Sequence, residues 1–134
     1  MIVLDASAAV DLLLDIGEQA EWVRERLSAI EEMHAPHLLD IEVGSAMRRR
    51  LLLGEIDGER GTLALGALTA LPIIRYAHAP LTQRMWDLRG RITLHDAAYI
   101  ALAEALDAAV VTTDQRLGRA GFGDRVLAFP DRPL

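Results

Sequence analysis

Four acids in this chain stand where a carboxylate needs a reason. Asp5 follows the apolar run Ile2, Val3, Leu4, a pattern expected of a strand buried on both faces, and Asp114 closes VVTTD with the same grammar. If the two runs are parallel strands of one sheet, both carboxylates lie at one edge, where open α/β sheets bind ligands. Asp96 opens HDAAYIALAEAL, a stretch apolar nearly all round at helical spacing and therefore buried. Thr93, three residues earlier, makes T-x-x-D, so a capping box is the competing account of Asp96. Glu42 lies on a helix expected over 38–53. On a helical wheel it falls between Leu38 on one side and Leu39, Ala46 and Leu53 on the other, in the middle of the apolar stripe. Asp40, two residues away, points off the stripe and reads as an ordinary surface or first-turn acid.

Carboxylates brought to one crevice raise one another's pKa values, and burial raises them further, so a cation is implied. Ligands that are all oxygen select Mg²⁺ or Mn²⁺ rather than zinc. Of the four histidines, His34, His37 and His78 sit beside strand or turn signals and read as structural or surface residues; His95, next to Asp96, is the one placed to act as ligand or base. Two bland accounts compete: each aspartate caps a helix, and Glu42 pairs with Arg49 on the same face. Four such coincidences with one topological destination favour a site.

The elements that must position these acids alternate between strand and helix. Strands are expected at 2–4, 33–35, 73–76, 109–112 and 125–128, and helices at 7–15, 18–32, 38–53, 81–89, 95–106 and 115–120. A further helix over DGERGTLALGALTALP carries Gly58, Gly61 and Gly66, which with Gly44 depart from good helix formers. The alternation implies a parallel sheet with right-handed crossovers, covered on both faces.

Composition narrows the chemistry. A chain of 134 residues is expected to fold as a single domain spanning 1–134. Without cysteine there are no disulfides, thiolate zinc sites or cysteine nucleophiles. All 14 basic side chains are arginine, so no lysine is present for a Schiff base, a P-loop or an aspartyl-phosphate site. The net charge of −6 argues against nonspecific nucleic-acid binding through a basic surface, though not against binding through a cation and a local arginine patch. No run is long enough to span a membrane and residues 2–4 read as a strand, not a signal peptide, so a soluble, cytoplasmic protein is expected. The 51% hydrophobic content leaves apolar surface over for a partner, and at least a homodimer is expected.

Taken in order, MIVLDAS, APHLLDIEVGSAMRR, LHDAAYIALAEAL and VVTTDQRL resemble the acidic signature of PIN-domain ribonucleases, in particular the VapC toxins of bacterial toxin-antitoxin pairs. The resemblance covers essentially the whole chain. It implies a three-layer α/β/α domain with a mostly parallel sheet, and a Mg²⁺- or Mn²⁺-dependent endoribonuclease that hydrolyses an RNA phosphodiester with metal-activated water. It assigns catalysis to Asp5, Glu42, Asp96 and Asp114, with the metal on Asp5, Asp96 and Asp114. Ser7 and Thr112 would be hydroxyls that orient carboxylates or water, or simply caps. Arg116 and Arg119 lead Arg48, Arg49 and Arg50 as residues to hold RNA phosphates. The implied partners are RNA and a VapB-like antitoxin. Two other classes compete: a PIN-like module that binds RNA or protein without cleaving, and a phosphoacceptor domain, which normally needs the lysine this chain lacks.

Overall fold

Short apolar runs form five strands, β1 (Ile2–Leu4), β2 (Met33–Pro36), β3 (Ile73–Tyr76), β4 (Ala109–Thr112) and β5 (Val126–Ala128), which pair in parallel in the order β3-β2-β1-β4-β5. These elements come from a computed structural model that describes residues 1–30 and 32–130. Seven helices connect them: α1 (Ala6–Leu13), α2 (Gly17–Leu27), α3 (Leu38–Leu52), α4 (Gly58–Ala70), α5 (Thr82–Asp87), α6 (Leu94–Leu106) and α7 (Gln115–Gly118).

The chain steps from β1 outward through β2 to β3, then returns to the other side of β1 for β4 and β5. Right-handed crossovers therefore send α1 to α4 to one face and α5 to α7 to the other. The packing agrees, with α1 against α2, α3 and α4, and α5 against α6. The result is the three-layer α/β/α arrangement with a parallel centre that the strand and helix alternation demands. Its direction reverses between β1 and β4, and that switch point opens a crevice at their carboxyl ends.

The core has a simple chemical basis. Val3 and Leu4 of β1 and Val110 and Val111 of β4 are fully buried, as expected of strands covered on both faces. Residues 97–103 of α6 are buried in unbroken succession, and their four alanines let the helix lie close against β1, β2 and β4. At the far edge, a Cβ on Gly118 would meet the Cβ of Ala128 at 2.6 Å, so α7 docks on β5 only because position 118 is glycine.

Several helix ends differ from expectation. α1 stops at Leu13 because Asp15 and Gly17 turn left-handed, at φ 55° and 48°. α2 ends at Leu27, and the last part of the helix expected over 18–32 includes residue 31, which lies outside the described residues. The helix expected over 81–89 is split: Pro80 sits in a 3-10 turn at Ala79–Leu81, and α5 follows for six residues. The glycines do not break α4. Gly58 is its first residue, the Asp57 side chain accepts the Arg60 N–H at 2.8 Å, and Ala64 and Leu68 are buried.

Candidate active site

Asp5 follows β1 at the switch point, only 6% exposed. Its backbone does start α1, since the Ala9 N–H donates to the Asp5 carbonyl at 3.0 Å, but its side chain caps nothing. Instead Oδ2 accepts the Thr112 hydroxyl at 2.6 Å and the Ser7 hydroxyl at 2.7 Å. The two hydroxyls lie 3.0 Å apart and are held by backbone: Ser7 Oγ accepts the Thr113 N–H at 3.1 Å, and Thr112 Oγ1 accepts the Asp114 N–H at 3.0 Å. Ser7 and Thr112 thus fix one oxygen of Asp5 and stitch β1 to the end of β4. Their reading as helix caps fails. Burial pushes the Asp5 carboxyl up to about 6, against the two hydroxyl hydrogen bonds, and the neighbouring charges of Asp96 and Glu42 raise it further.

Glu42 reaches the same place from the middle of α3. Its Oε1 accepts the hydroxyl of Tyr99, a fully buried residue of α6, at 2.7 Å. No ion pair joins Glu42 to Arg49 among the described residues, although both line a cleft of about 470 Å³ with Ser7, Asp11 and His95. Asp40 is turned away and takes a bidentate pair from Arg75 at 2.7 and 2.9 Å.

Asp96 enters on the first turn of α6. Half of the expected capping box is present, with the Asp96 N–H donating to Thr93 Oγ1 at 3.1 Å. Its half-buried carboxyl is raised, by burial first and then by the charge of Asp114, with Arg116 and Thr93 working the other way. Asp114 is the acid for which the cap account holds. Its Oδ1 accepts the Arg116 N–H at 2.9 Å, capping α7, and Oδ2 accepts the Arg116 guanidinium at 2.9 Å.

Asp5 thus feels the charges of Asp96 and Glu42 at the end of β1, and Asp96 in turn feels that of Asp114 after β4. Among the described residues, however, no group of three or more histidine, aspartate or glutamate side chains forms a ready cation site. The contacts give a reason: both oxygens of Asp114 are occupied by its own helix and Arg116, and one oxygen of Glu42 is held by Tyr99. The donor chemistry still fits a hard divalent ion. It is oxygen only, and Asp5 and Asp96 are held in part from ionising by burial and like charge, which a cation would reverse.

Three features escaped sequence reasoning. Tyr99 was counted only as part of an apolar helix; its signal was a lone hydroxyl three residues after Asp96 in an otherwise apolar run. Asp11 and Thr113 also border the site, with the Asp11 carboxyl raised by burial while Thr113 and Arg50 oppose the shift. Of the histidines, His34 is buried against the Tyr76 hydroxyl at 2.7 Å and His78 accepts the Leu38 N–H at 3.0 Å, both structural, while His95 is exposed at the rim of the Glu42 cleft.

The PIN domain family profile matches residues 2–123. This chain belongs to the PIN domain family. Within it, VapC ribonuclease Mb0985 from Mycobacterium bovis is 44% identical over 124 residues, covering 90% of this chain and 91% of that protein. Ribonuclease VapC1 from Mycobacterium tuberculosis is 46% identical over 119 residues, 88% of this chain and 89% of that protein. The fold is similar to that of Mycobacterium tuberculosis VapC20, a sarcin-ricin loop cleaving toxin, with a TM-score of 0.70 at 16% identity over 92% of this chain and 98% of that one. The PIN fold thus places the strand-end acids of this chain, and the VapC relatives match it over nearly its full length.

Proposed function

We propose that this PIN-domain protein is a Mg²⁺- or Mn²⁺-dependent endoribonuclease and the toxin of a toxin-antitoxin pair. The observation that carries the reading is the buried Asp5, its carboxylate fixed by the Ser7 and Thr112 hydroxyls at the sheet's switch point within electrostatic reach of Glu42 and Asp96. Relatives named as ribonucleases at 44% and 46% identity support it.

Asp5, Asp96 and Asp114 would hold the ion. When bound, it supplies charge neutralisation and an acidified water for hydrolysis of the phosphodiester. The chain's own residues do the positioning. Ser7 and Thr112 occupy Oδ2 of Asp5 and leave Oδ1 as its donor, since no hydrogen bond among the described residues reaches Oδ1. Tyr99 occupies one oxygen of Glu42, so the other is left to accept a hydrogen bond from the attacking water. Arg116, with its side chain 81% exposed and paired with Asp114, is the arginine that would be free to hold a substrate phosphate once Asp114 serves an ion, with Arg119 beside it in sequence.

A ribonuclease of this kind needs restraint. Exposed Leu52, Leu53 and Leu63 offer an antitoxin apolar surface, and the shallow apolar groove of Leu38, Met85, Leu94 and Ala98 suits a second copy of the chain. Light scattering at the mass of one chain would remove the homodimer. Asp96→Asn tests the activity: it should lower RNA cleavage at least a hundredfold and abolish toxicity on expression while leaving the circular dichroism unchanged. Full cleavage by that variant would remove Asp96 from the catalytic machinery, whereas a wild type that binds RNA and never cleaves it would favour a PIN-like module that binds without cutting.

A further inference from the structure

On the α7 side of the acids a second cleft, of about 510 Å³, runs from Asp96 and Arg116 past Thr93 to Arg91 and Arg89. That volume is typical of a ligand site. Two of its three arginines have no carboxylate partner among the described residues. Arg91 donates to the carbonyls of Ala120 and Gly121 at 3.0 and 3.2 Å and lies over the Phe122 ring. Arg89 donates to the Trp86 carbonyl at 3.0 Å, and its guanidinium sits 4.5 Å from the centre of the Trp86 indole. The indole itself is 54% exposed.

This pairing is not forced by a shortage of acids. Arg84, on the same short helix, takes a bidentate pair with Glu104 at 2.9 and 3.1 Å, and Gln83 donates to Asp87 at 3.0 Å. An exposed indole beside an unneutralised arginine, continuous with a cleft that ends at a catalytic acid, combines the two elements that hold single strands. A flat aromatic face stacks an unpaired base, and a cation meets the phosphate next to it. On a chain of net charge −6, such a local patch also favours the approach of an anionic strand to the acidic crevice from this side.

We propose that single-stranded RNA flanking the scissile phosphate lies along this cleft, with a phosphate on Arg89 and a base stacked on Trp86. The proposal rests on the ribonuclease reading above and adds to it the direction in which the substrate leaves the acids. Duplex RNA, whose bases are already stacked, gains nothing from the indole.

Binding is measured by fluorescence anisotropy of a labelled single-stranded 12-mer RNA in EDTA, so that the result does not depend on cleavage. Trp86→Ala should weaken binding about tenfold, with Trp86→Phe restoring most of it. Arg89→Ala should reduce the slope of log K against log salt by about 0.7, the loss of one phosphate contact on a single strand. With Mg²⁺ present, both alanine variants should raise KM for the 12-mer and leave kcat unchanged. Both residues are at the surface, and unchanged circular dichroism and scattering mass check that fold and assembly persist. Wild-type affinity and KM in both variants, no binding of the 12-mer by wild type, or losses that accompany a change of oligomeric state would each overturn the proposal. A wild type that binds the 12-mer through Trp86 and Arg89 but never cleaves it would instead retire the ribonuclease reading and leave the track standing.

Discussion

Asp5 ties folding to pH. In the absence of a cation its carboxyl keeps a proton up to about 6, whereas the unfolded chain releases it near 3.8, so across that interval the native state binds more protons. Stability therefore falls as pH rises: the contribution is fully present below about 4 and lost above about 6. Two pKa units correspond to roughly 3 kcal/mol. The raised carboxyls of Asp11 and Asp96 act in the same direction. In EDTA, the denaturation midpoint should drop between pH 4 and 7, and Asp5→Asn should flatten that slope and make the metal-free protein more stable at pH 7. Parallel profiles for the two proteins would show that Asp5 is not the group being titrated. At this scale the sequence was legible for Asp5 and Glu42, because a charge in an apolar pattern needs a partner. It was ambiguous for Asp114, which both caps α7 and faces the crevice, since the two roles use the same residue type at the same place.

The contrast between Glu42 and Asp40 belongs to the elements, because α3 alone separates them. Its winding carries Glu42 to the hydroxyl of Tyr99 on α6 and Asp40 to Arg75 on β3. Glu42→Gln should lower RNA cleavage tenfold or more, whereas Asp40→Asn should leave it unchanged. The Asp40–Arg75 pair is partly exposed, so its loss should cost about 1 kcal/mol or less in chemical denaturation. Equal losses of cleavage in the two variants would mean that the face of α3 does not matter. The same wheel argument explains what could be read along the chain. β3 and β4 were placed at their observed bounds from their apolar and β-branched runs, and α6 from its unbroken apolar surface. The split before α5 and the early end of α1 were not, because they depend on Pro80 and on the turn at Asp15 to Gly17, whose local preferences compete with an unchanged periodicity. The Tyr99 bond was hidden for another reason: it joins positions 57 residues apart, on helices from opposite faces of the sheet, and only the three-dimensional fold brings them together.

Across the whole molecule, fold, charge and surplus apolar surface bear on one another. The sheet order places two strand ends at a switch point, the acids collected there repel in the absence of a cation, and the exposed leucines of α3 and α4 lie on the face that carries Glu42. An antitoxin seated on that face can satisfy the acids with an arginine, which pairs bidentately with carboxylates as a cation would. Antitoxin and Mg²⁺ should then weaken each other by the same factor, as reciprocal coupling requires. Calorimetric titration of the antitoxin with and without Mg²⁺ at constant ionic strength measures that factor, and identical affinities would mean that the inhibitor covers the RNA path and leaves the acids alone. The central claim, that these acids work through a divalent cation, is tested most directly by the ends of the RNA products. Purified protein should cut RNA with Mg²⁺ or Mn²⁺, fall silent in EDTA, recover on readdition of the metal, and leave 5′-phosphate and 3′-hydroxyl termini. Cleavage that persists in EDTA, or products ending in a cyclic phosphate, would contradict it.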